Sequence, residues 1–378
     1  MKIGLIGCGS MGKVHTYVVK TLPLYYQSLP FRADIAGVCA AHEDSAREYA
    51  IAQGIRHVYL DVDEMVADSA IDVIDICTPN VYHYETIIKA LQAGKAVYCE
   101  KPLCVTPLQA EEVAALAFEK GIPSQIVFNY RFMTPVMRAK ELISEGRIGK
   151  ILSFDFRYLH SSCLDPNKPA GWKQDSSLCG GGVLFDLGSH VLDLCTHLCG
   201  PVASISGTSQ IAFPVRKGCD GKPWNTNGDE AFYMTLKLKN GAVGQVAVSK
   251  LAMGTADDLT FSVYGEKGSL SFSLMEPEWL NFYDGDRVGG DLGGERGFVR
   301  IECGGRYPAP GGLFPSPKAP VGWLRGHVGS MYAFLSSVHE GSTCSPSFED
   351  GAYVQRLMDA AYLSDFEGGL YIDPEADE

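Results

Sequence analysis

The sequence predicts an α/β protein of two domains: a doubly wound parallel sheet over residues 1–130, then an α+β domain with an open, mostly antiparallel sheet over 131–378. Three observations predict it. The first part alternates short apolar runs with helical runs of ten or more residues, the rhythm of a parallel sheet with right-handed crossovers. A glycine-rich turn joins the first strand to the first helix. Beyond residue 150 strand-like runs follow one another, with a hairpin signal at Asn240-Gly241. The length of 378 residues suits about two domains. The composition, 46% hydrophobic and 20% charged, excludes disorder over most of the chain.

The elements follow in order. Lys2–Gly7 reads as a strand and Met11–Lys20 as a helix. Thr21–Phe31, with Pro23 and Pro30, is expected as an extended loop because proline breaks a helix interior. Ala33–Cys39, Ile71–Cys77, Ala96–Cys99 and Gln125–Tyr130 are strands, separated by helices at His42–Gln53, Asn80–Ala93 and Pro107–Lys120. Pro135–Glu145 is a further helix and Ile151–Tyr158 a strand. Gly180-Gly181-Gly182 is expected to open one helix running to about Leu198. Strands are expected at Val202–Ala212, Ala231–Leu238, Ala242–Lys250, Leu259–Tyr264 and Ser269–Phe272. Residues 284–322, rich in Gly and Pro, read as a long irregular loop. Helices at Gly326–His339 and Phe348–Phe366 close the chain, the last available to pack back on the first domain.

Charge and cysteine usage narrow the function. Lys plus Arg number 32 against 45 Asp plus Glu, a net charge of −13. Such a chain is a poor nucleic-acid binder, which needs a basic surface. The 12 cysteines include no C-x-x-C pair and no compact spacing, so they read as reduced, mostly buried thiols. Cys195-Thr196-His197-Leu198-Cys199 lacks the second ligand pair of a zinc site, and no metal is expected. The N-terminal apolar run is too short for a leader, and no stretch approaches the ~20 apolar residues of a membrane span. The cytoplasm is the expected address, with no membrane partner.

Gly7-Cys8-Gly9-Ser10-Met11-Gly12 is G-x-G-x-x-G between a strand and a helix, the context that makes it a dinucleotide fingerprint. Free N–H groups at the helix start then face the phosphates. The acid that usually ends the second strand and binds the ribose 2′-hydroxyl is missing from Cys39-Ala40-Ala41-His42. Only His42 and Arg47 lie nearby to read a 2′-phosphate, so NAD or NADP remain alternatives. Glu100-Lys101-Pro102 ends a parallel strand, where ligands bind. A lysine there either stabilises a developing alkoxide or is a surface residue before a structural proline. Asp186 and His190 are four apart on the expected helix, so they share a face. A carboxylate there would raise and orient a histidine base, or the pair is purely structural.

These residues resemble the Gfo/Idh/MocA oxidoreductases over essentially the full length. The matching pieces are Gly7 to Gly12, Thr78-Pro79-Asn80 with His83, Glu100-Lys101-Pro102, Asn129-Tyr130-Arg131-Phe132, the run from Gly180 to His190, and Ser347-Phe348-Glu349-Asp350-Gly351. The resemblance implies a Rossmann domain and an α+β domain whose open sheet face forms a homodimer or homotetramer. It implies that Lys101 binds the reacting hydroxyl, His190 is the acid/base and Asp186 supports the site. It also implies a cofactor set of Gly7, Gly9, Ser10, Met11, Gly12, Ala40, Thr78, Pro79, Asn80, His83, Glu100, Lys101 and Asn129, with NAD or NADP retained between turnovers in some members. Asp165-Pro166 and Pro169-Ala170-Gly171-Trp172-Lys173 resemble the subgroup that oxidises pyranose sugars and glycosides, with Trp172 and Lys173 beside cofactor and substrate. The implied reaction moves a hydride from a ring carbon, C3, of a sugar, glycoside or polyol to the nicotinamide. Two alternatives stand beside it. One is an NAD-dependent glycosidase working by transient 3-oxidation and elimination, with Tyr158 or His160 as the additional base. The other is a non-catalytic cofactor-binding regulator.

Overall fold

The computed structural model describes residues 1–218, 220–305, 314–316 and 318–376, which fall into two compact units. The first is built chiefly from Met1–Asn129 and Leu324–Gln355. It contains β1 (Lys2–Ile6), α1 (Ser10–Tyr25), β2 (Asp34–Cys39), α2 (Glu43–Gln53), β3 (His57–Tyr59), α3 (Val62–Ala67), β4 (Val73–Ile76), α4 (His83–Gln92), β5 (Ala96–Cys99), α5 (Pro107–Lys120) and β6 (Ser124–Ile126). The strands pair in parallel in the order β3-β2-β1-β4-β5-β6. All residues of β4 and β5 are buried, as continuous apolar strands covered on both faces should be. The strand order reverses between β1 and β4, and such a switch point opens a crevice at the carboxyl ends of the strands.

Local chemistry explains the helix ends. Thr106 caps α5 through Gln109 N (3.3 Å), Pro107 sits in its first turn, and Gly121 ends it at φ 61°. Two expectations are corrected here. Helix α1 runs on through Pro23 to Tyr25 instead of giving way to a loop. Leu22 and Tyr25 are buried on its inner face, and about 1.5–3 kcal/mol for each offsets the ~3 kcal/mol cost of proline. β3 and α3 were not expected: β3 has only three residues, and α3 is a six-residue helix capped by Asp61 through Glu64 N at 2.8 Å.

The second unit is built chiefly from residues 130–305 and 356–376. It contains α6 (Thr134–Ser144), β7 (Ile151–Leu159), α7 (Ser176–Cys179), α8 (Ser189–Cys199), β8 (Val202–Gln210), β9 (Val215–Lys217), β10 (Pro223–Asn225), β11 (Ala231–Leu238), β12 (Val243–Ser249), β13 (Asp258–Gly265), β14 (Gly268–Ser273), β15 (Trp279–Asp284) and β16 (Phe298–Glu302). Eight strands form one sheet in the order β16-β15-β14-β13-β7-β12-β11-β8. Every pair in it is antiparallel except β12–β7. Phe154, Phe156 and Tyr158 of β7 alternate inward, and α8 covers that face. The chain closes with α9 (Leu324–Glu340), which belongs to the first unit, and α10 (Phe348–Phe366), which belongs to the first unit through Gln355 and to the second from Arg356.

The helix expected to open after the glycine triplet is present: α7 stops at Gly180 (φ 87°), and a continuous helix then runs from Val183 through a π-helical turn at Leu184–Gly188 into α8. The stretch Ser176–Cys199 is long and apolar enough to cross a membrane by length and composition, contrary to expectation, but 83% of it is buried inside the protein. A core helix meets the same description. The expected loop 284–322 contains β16, whose five residues alternate in exposure; its residues 306–313 and 317 lie outside the described residues. The short strands β9 and β10, which pair as a separate two-stranded sheet, and β15 of the large sheet were likewise unexpected.

Candidate active site

In the first unit, the turn from β1 to α1 is shaped by its glycines. Gly7 has φ +102°, and a Cβ there would lie 2.5 Å from Cys77 O. A Cβ on Gly12 would lie 2.1 Å from Gly7 O. At Gly9 nothing lies within 4 Å of the Cβ position, so the middle of the turn is open to a close ligand approach. α1 has no side-chain cap, which leaves the N–H groups of Ser10 and Met11 at an unblocked helix start. Thr78 Oγ1 and Asn129 Nδ2 are buried polar atoms with no hydrogen-bond partner among the described residues. They follow β4 and β6 at the carboxyl edge of the sheet. An open glycine turn with two unspent polar groups along one edge fits a dinucleotide, whose amide and phosphates need such partners. Ala40 is half-buried just past β2.

Not every residue of the expected cofactor set faces outward. His83 is fully buried, with Nδ1 3.0 Å from Pro102 O and Nε2 3.0 Å from Thr78 O. Burial lowers its pKa against the pull of those carbonyls, so the ring is neutral and one N–H donates at a time. It braces the loop after β4 to the loop after β5. Pro79 and buried Asn80 begin the short turn between them.

Lys101 stands directly after Glu100 at the end of β5, half-buried, and its backbone N–H donates to Glu100 Oε2 at 3.2 Å. Glu100 is buried. Burial alone would raise its pKa, but the hydrogen bond and charge of His15 bring it down to about 2. His15 lies on α1, three residues past the fingerprint, with Nε2 3.1 Å from Glu100 Oε1 and Nδ1 2.8 Å from Asp75 Oδ1. Sequence reasoning missed it. The available signals were an acid, Asp75, inside the apolar strand Val73-Ile74-Asp75-Ile76, and a histidine on the inner face of α1.

Buried histidines give this unit a definite acid response. Burial pushes His327 of α9 down to about 3, with the charge of Glu100 opposing, and lowers His83 as well. Below the ordinary value of 6.5 the unfolded chain binds a proton that the folded chain refuses, so stability falls as pH falls. His15 is raised, so its contribution is complete below 6.5 and is lost only as pH rises through its folded value. Between pH 6.5 and about 5 the unfolding free energy should drop by roughly 2 kcal/mol from His327 alone. Denaturant titrations at the two pH values should show this, and His327→Gln should remove that share of the slope.

In the second unit the glycine triplet is a packing device. Gly182 N and Leu184 N donate to Asp229 Oδ1 and Oδ2 at 2.9 and 3.0 Å, and the Tyr362 hydroxyl donates to the same carboxylate. A Cβ on Gly182 would lie 2.2 Å from the Asp229 backbone, and one on Gly181 would lie 2.4 Å from Tyr362 Oη. Asp229 thus anchors the start of the π turn that carries Asp186. Asp229→Ala should cost about 2–4 kcal/mol by stranding these donors, read as a lower thermal midpoint.

Asp186 is bracketed by two ammonium groups: Lys173 Nζ at 2.7 Å and Lys250 Nζ at 2.8 Å. Lys250 directly follows β12 and is 6% exposed. Burial lowers its pKa, but the Asp186 charge outweighs this and the net shift is upward. The sequence reading missed it; its only mark was a charge ending an apolar strand. Lys173 Nζ also lies 5.7 Å from the centre of the half-exposed Trp172 ring. His190 is 8% exposed and meets the Tyr130 ring edge-on at 4.8 Å. Tyr130 and Tyr158 share a hydroxyl–hydroxyl bond of 2.6 Å, Tyr158 donates to Asp257 Oδ1 at 2.6 Å, and His160 Nε2 lies 2.7 Å from that oxygen. The structure therefore joins the two residues expected as alternative bases, Tyr158 and His160, through Asp257, a partner from just before β13.

Known proteins match both units. Residues 1–128 match the model of an oxidoreductase family with an NAD-binding Rossmann fold, and residues 136–271 match the GFO/IDH/MocA C-terminal domain. Levoglucosan dehydrogenase of Pseudarthrobacter phenanthrenivorans is 32% identical over 376 residues, 95% of each chain. The chain belongs to the Gfo/Idh/MocA oxidoreductases. Within this family, D-glucoside 3-dehydrogenase of Escherichia coli is 26% identical across 96% of this chain and 95% of its own. A solved levoglucosan dehydrogenase in complex with NADH and levoglucosan is 31% identical, with a TM-score of 0.94 over 99% of this chain and 98% of that one. The family matched by the Rossmann unit is described as NAD-binding, and a solved levoglucosan dehydrogenase, 31% identical, is a complex with NADH.

Proposed function

We propose that the protein is an NAD-dependent dehydrogenase that oxidises a ring CH–OH, at C3, of a pyranose sugar or glycoside. The observation that carries this reading is Lys101. It stands at the carboxyl edge of the same parallel sheet that holds the open glycine turn, next to a carboxylate kept ionised. Similarity over nearly the whole chain to enzymes named for levoglucosan and D-glucosides supports the substrate class.

Bound NAD supplies the hydride acceptor. The chain's residues supply the rest. Lys101 donates a hydrogen bond to the substrate oxygen and stabilises its developing negative charge. His190 takes the hydroxyl proton as the hydride leaves carbon, so CH–OH becomes C=O with one hydride and one proton accounted for. Asp186, facing two lysines, stays a carboxylate and fixes Lys173 beside Trp172. NAD over NADP is supported at the end of β2: Cys39 pairs with Tyr59 of β3, so the acid Asp61, the cap of α3, stands two residues past that neighbouring strand, and Ala40 and Ala41 offer no cation to a 2′-phosphate.

The eleven described cysteines are free thiols, which supports a reducing, cytoplasmic setting. Tyr233, Val243 and Tyr264 are exposed on the outer face of the eight-stranded sheet, which supports pairing with further copies of the chain.

The Tyr158–Asp257–His160 cluster favours one second reading, a glycosidase that oxidises C3 transiently and removes the C2 proton with this additional base. One experiment separates the two. The protein is mixed with levoglucosan, aryl glucosides and inositols, with NAD or NADP, and reduced nicotinamide and aglycone are both followed. Net reduced nicotinamide is the expected result. Aglycone release without net reduction moves the glycosidase to first place, and neither signal overturns both.

A further inference from the structure

The residues beneath Lys101 form a closed chain of charges. His15 and Asp75 are 1% and 0% exposed, and Glu100 is 6% exposed. Both nitrogens of one imidazole meet carboxylate oxygens, Nδ1 at Asp75 and Nε2 at Glu100. A neutral ring has one N–H and would turn a lone pair toward one of the carboxylates. Other groups face the ring as well. Cys77 Sγ lies 3.2 Å from Nδ1, the Tyr98 ring centre is 5.3 Å away, and the His327 ring centre is 6.0 Å away on α9. Tyr98 and Cys77 are held neutral by burial, and His327 is held neutral too. The remaining charges balance: Asp75 and Glu100 are negative, His15 and Lys101 positive. The ligand atoms of His15, Glu100 and His327 lie within 4.8 Å of one another, a spacing that could hold a metal ion. Together with Lys101, a proton on His15 already balances the two carboxylates, whereas a divalent ion would displace it and leave surplus charge in a buried site.

We propose that His15 is a positioning residue for catalysis: bonded between Asp75 and Glu100, it fixes the Glu100 carboxylate whose other oxygen receives the Lys101 backbone N–H, and so sets where the lysine stem begins. This rests on the reading of Lys101 as the group that binds the substrate oxygen. It extends the fingerprint's duty from holding phosphates to aligning the chemistry, because His15 sits on the same helix as the glycine turn. Without His15, two buried carboxylates are left with the Lys101 charge alone, and one takes up a proton. A protonated or rotated Glu100 no longer defines the Lys101 backbone. Small displacements of a reacting group of this kind cost about 10²-fold in rate.

The test uses the full-length protein, with NAD and levoglucosan as probes. His15→Gln should lower kcat by about 10²-fold, change the Kd for NADH (read by protein fluorescence) by less than about threefold, and add an acid limb to the pH–rate profile as Glu100 acquires a titratable proton. The double variant Asp75→Asn with His15→Gln removes the opposing charge. It should recover at least about tenfold of the lost rate and abolish the acid limb. On wild-type protein, nitrogen NMR of the imidazoles should show His15 doubly protonated between pH 6 and 8. That measurement needs neither substrate nor a folded variant. A neutral His15, a kcat within about threefold of wild type in His15→Gln, or a slow His15→Gln with no acid limb and no recovery in the double variant each overturns the proposal. Lys101→Met run in parallel separates the two readings. If it is fully active, the role of Lys101 falls whatever His15 does; if it is inactive while His15→Gln is normal, only the positioning role falls.

Discussion

Lys101→Met is expected to lower kcat with NAD and a pyranose substrate by roughly 10²–10³-fold, the cost of removing one donor aimed at developing oxyanion charge. The methionine keeps the stem length and removes only the ammonium. The carboxylate that meets the Lys101 backbone is bonded through a main-chain N–H, which the substitution leaves in place. Far-ultraviolet circular dichroism and NADH binding should therefore stay near wild type. Equal losses in kcat and kcat/KM would mark an interaction made in the transition state; a rise in KM alone would reduce Lys101 to ground-state binding. Near-normal turnover would remove it from the mechanism.

His190→Ala should slow oxidation by roughly 10²–10⁴-fold near neutral pH and by less above pH 9, where hydroxide in solvent takes over the proton. The contrast with Lys101→Met is diagnostic. Loss of a base is repaired by a higher pH, and loss of a fixed positive charge is not. Tyr130 packs edge-on against His190, so a pocket left by alanine is walled by that ring. An unchanged pH–rate profile would count against His190 as the proton acceptor.

What the sequence made legible was local. The glycine turn declared itself because three glycines stand where a strand gives way to a helix, with Gly7 and Gly12 sterically required and Gly9 open to a ligand. α5 was bounded correctly because a threonine cap, a first-turn proline and a terminal glycine coincide. The unread parts depend on pairings far along the chain. Asp75 and Glu100 meet His15 across separations of 60 and 85 residues, and no periodicity links them. Lys250 reaches Asp186 from β12, and Asp229 reaches the glycine triplet from just before β11. The glycine triplet was legible as a helix start, but α7 before it and the π turn after it were not: Asp229 and Tyr362 press so close to Gly182 and Gly181 that only glycine fits, and these partners lie far along the chain. α1 erred the other way: proline argued for a loop, and the burial of Leu22 and Tyr25 outweighed it.

One arrangement bears on how the protein is made. α9 is a working part of the first unit: Ser330 Oγ lies 2.7 Å from the Tyr98 hydroxyl on β5, and Gln125 Nε2 donates to Ser330 O at 3.1 Å on β6. Those strands are synthesised some two hundred residues before the helix that covers them. A nascent chain that has delivered all six parallel strands from the ribosome still exposes the apolar flank of α1 and leaves the Gln125 amide without its carbonyl. The nucleotide-binding half therefore cannot mature first and wait. It is completed by the tail of the polypeptide, and stalled or prematurely terminated products would present that uncovered flank to chaperones and proteases.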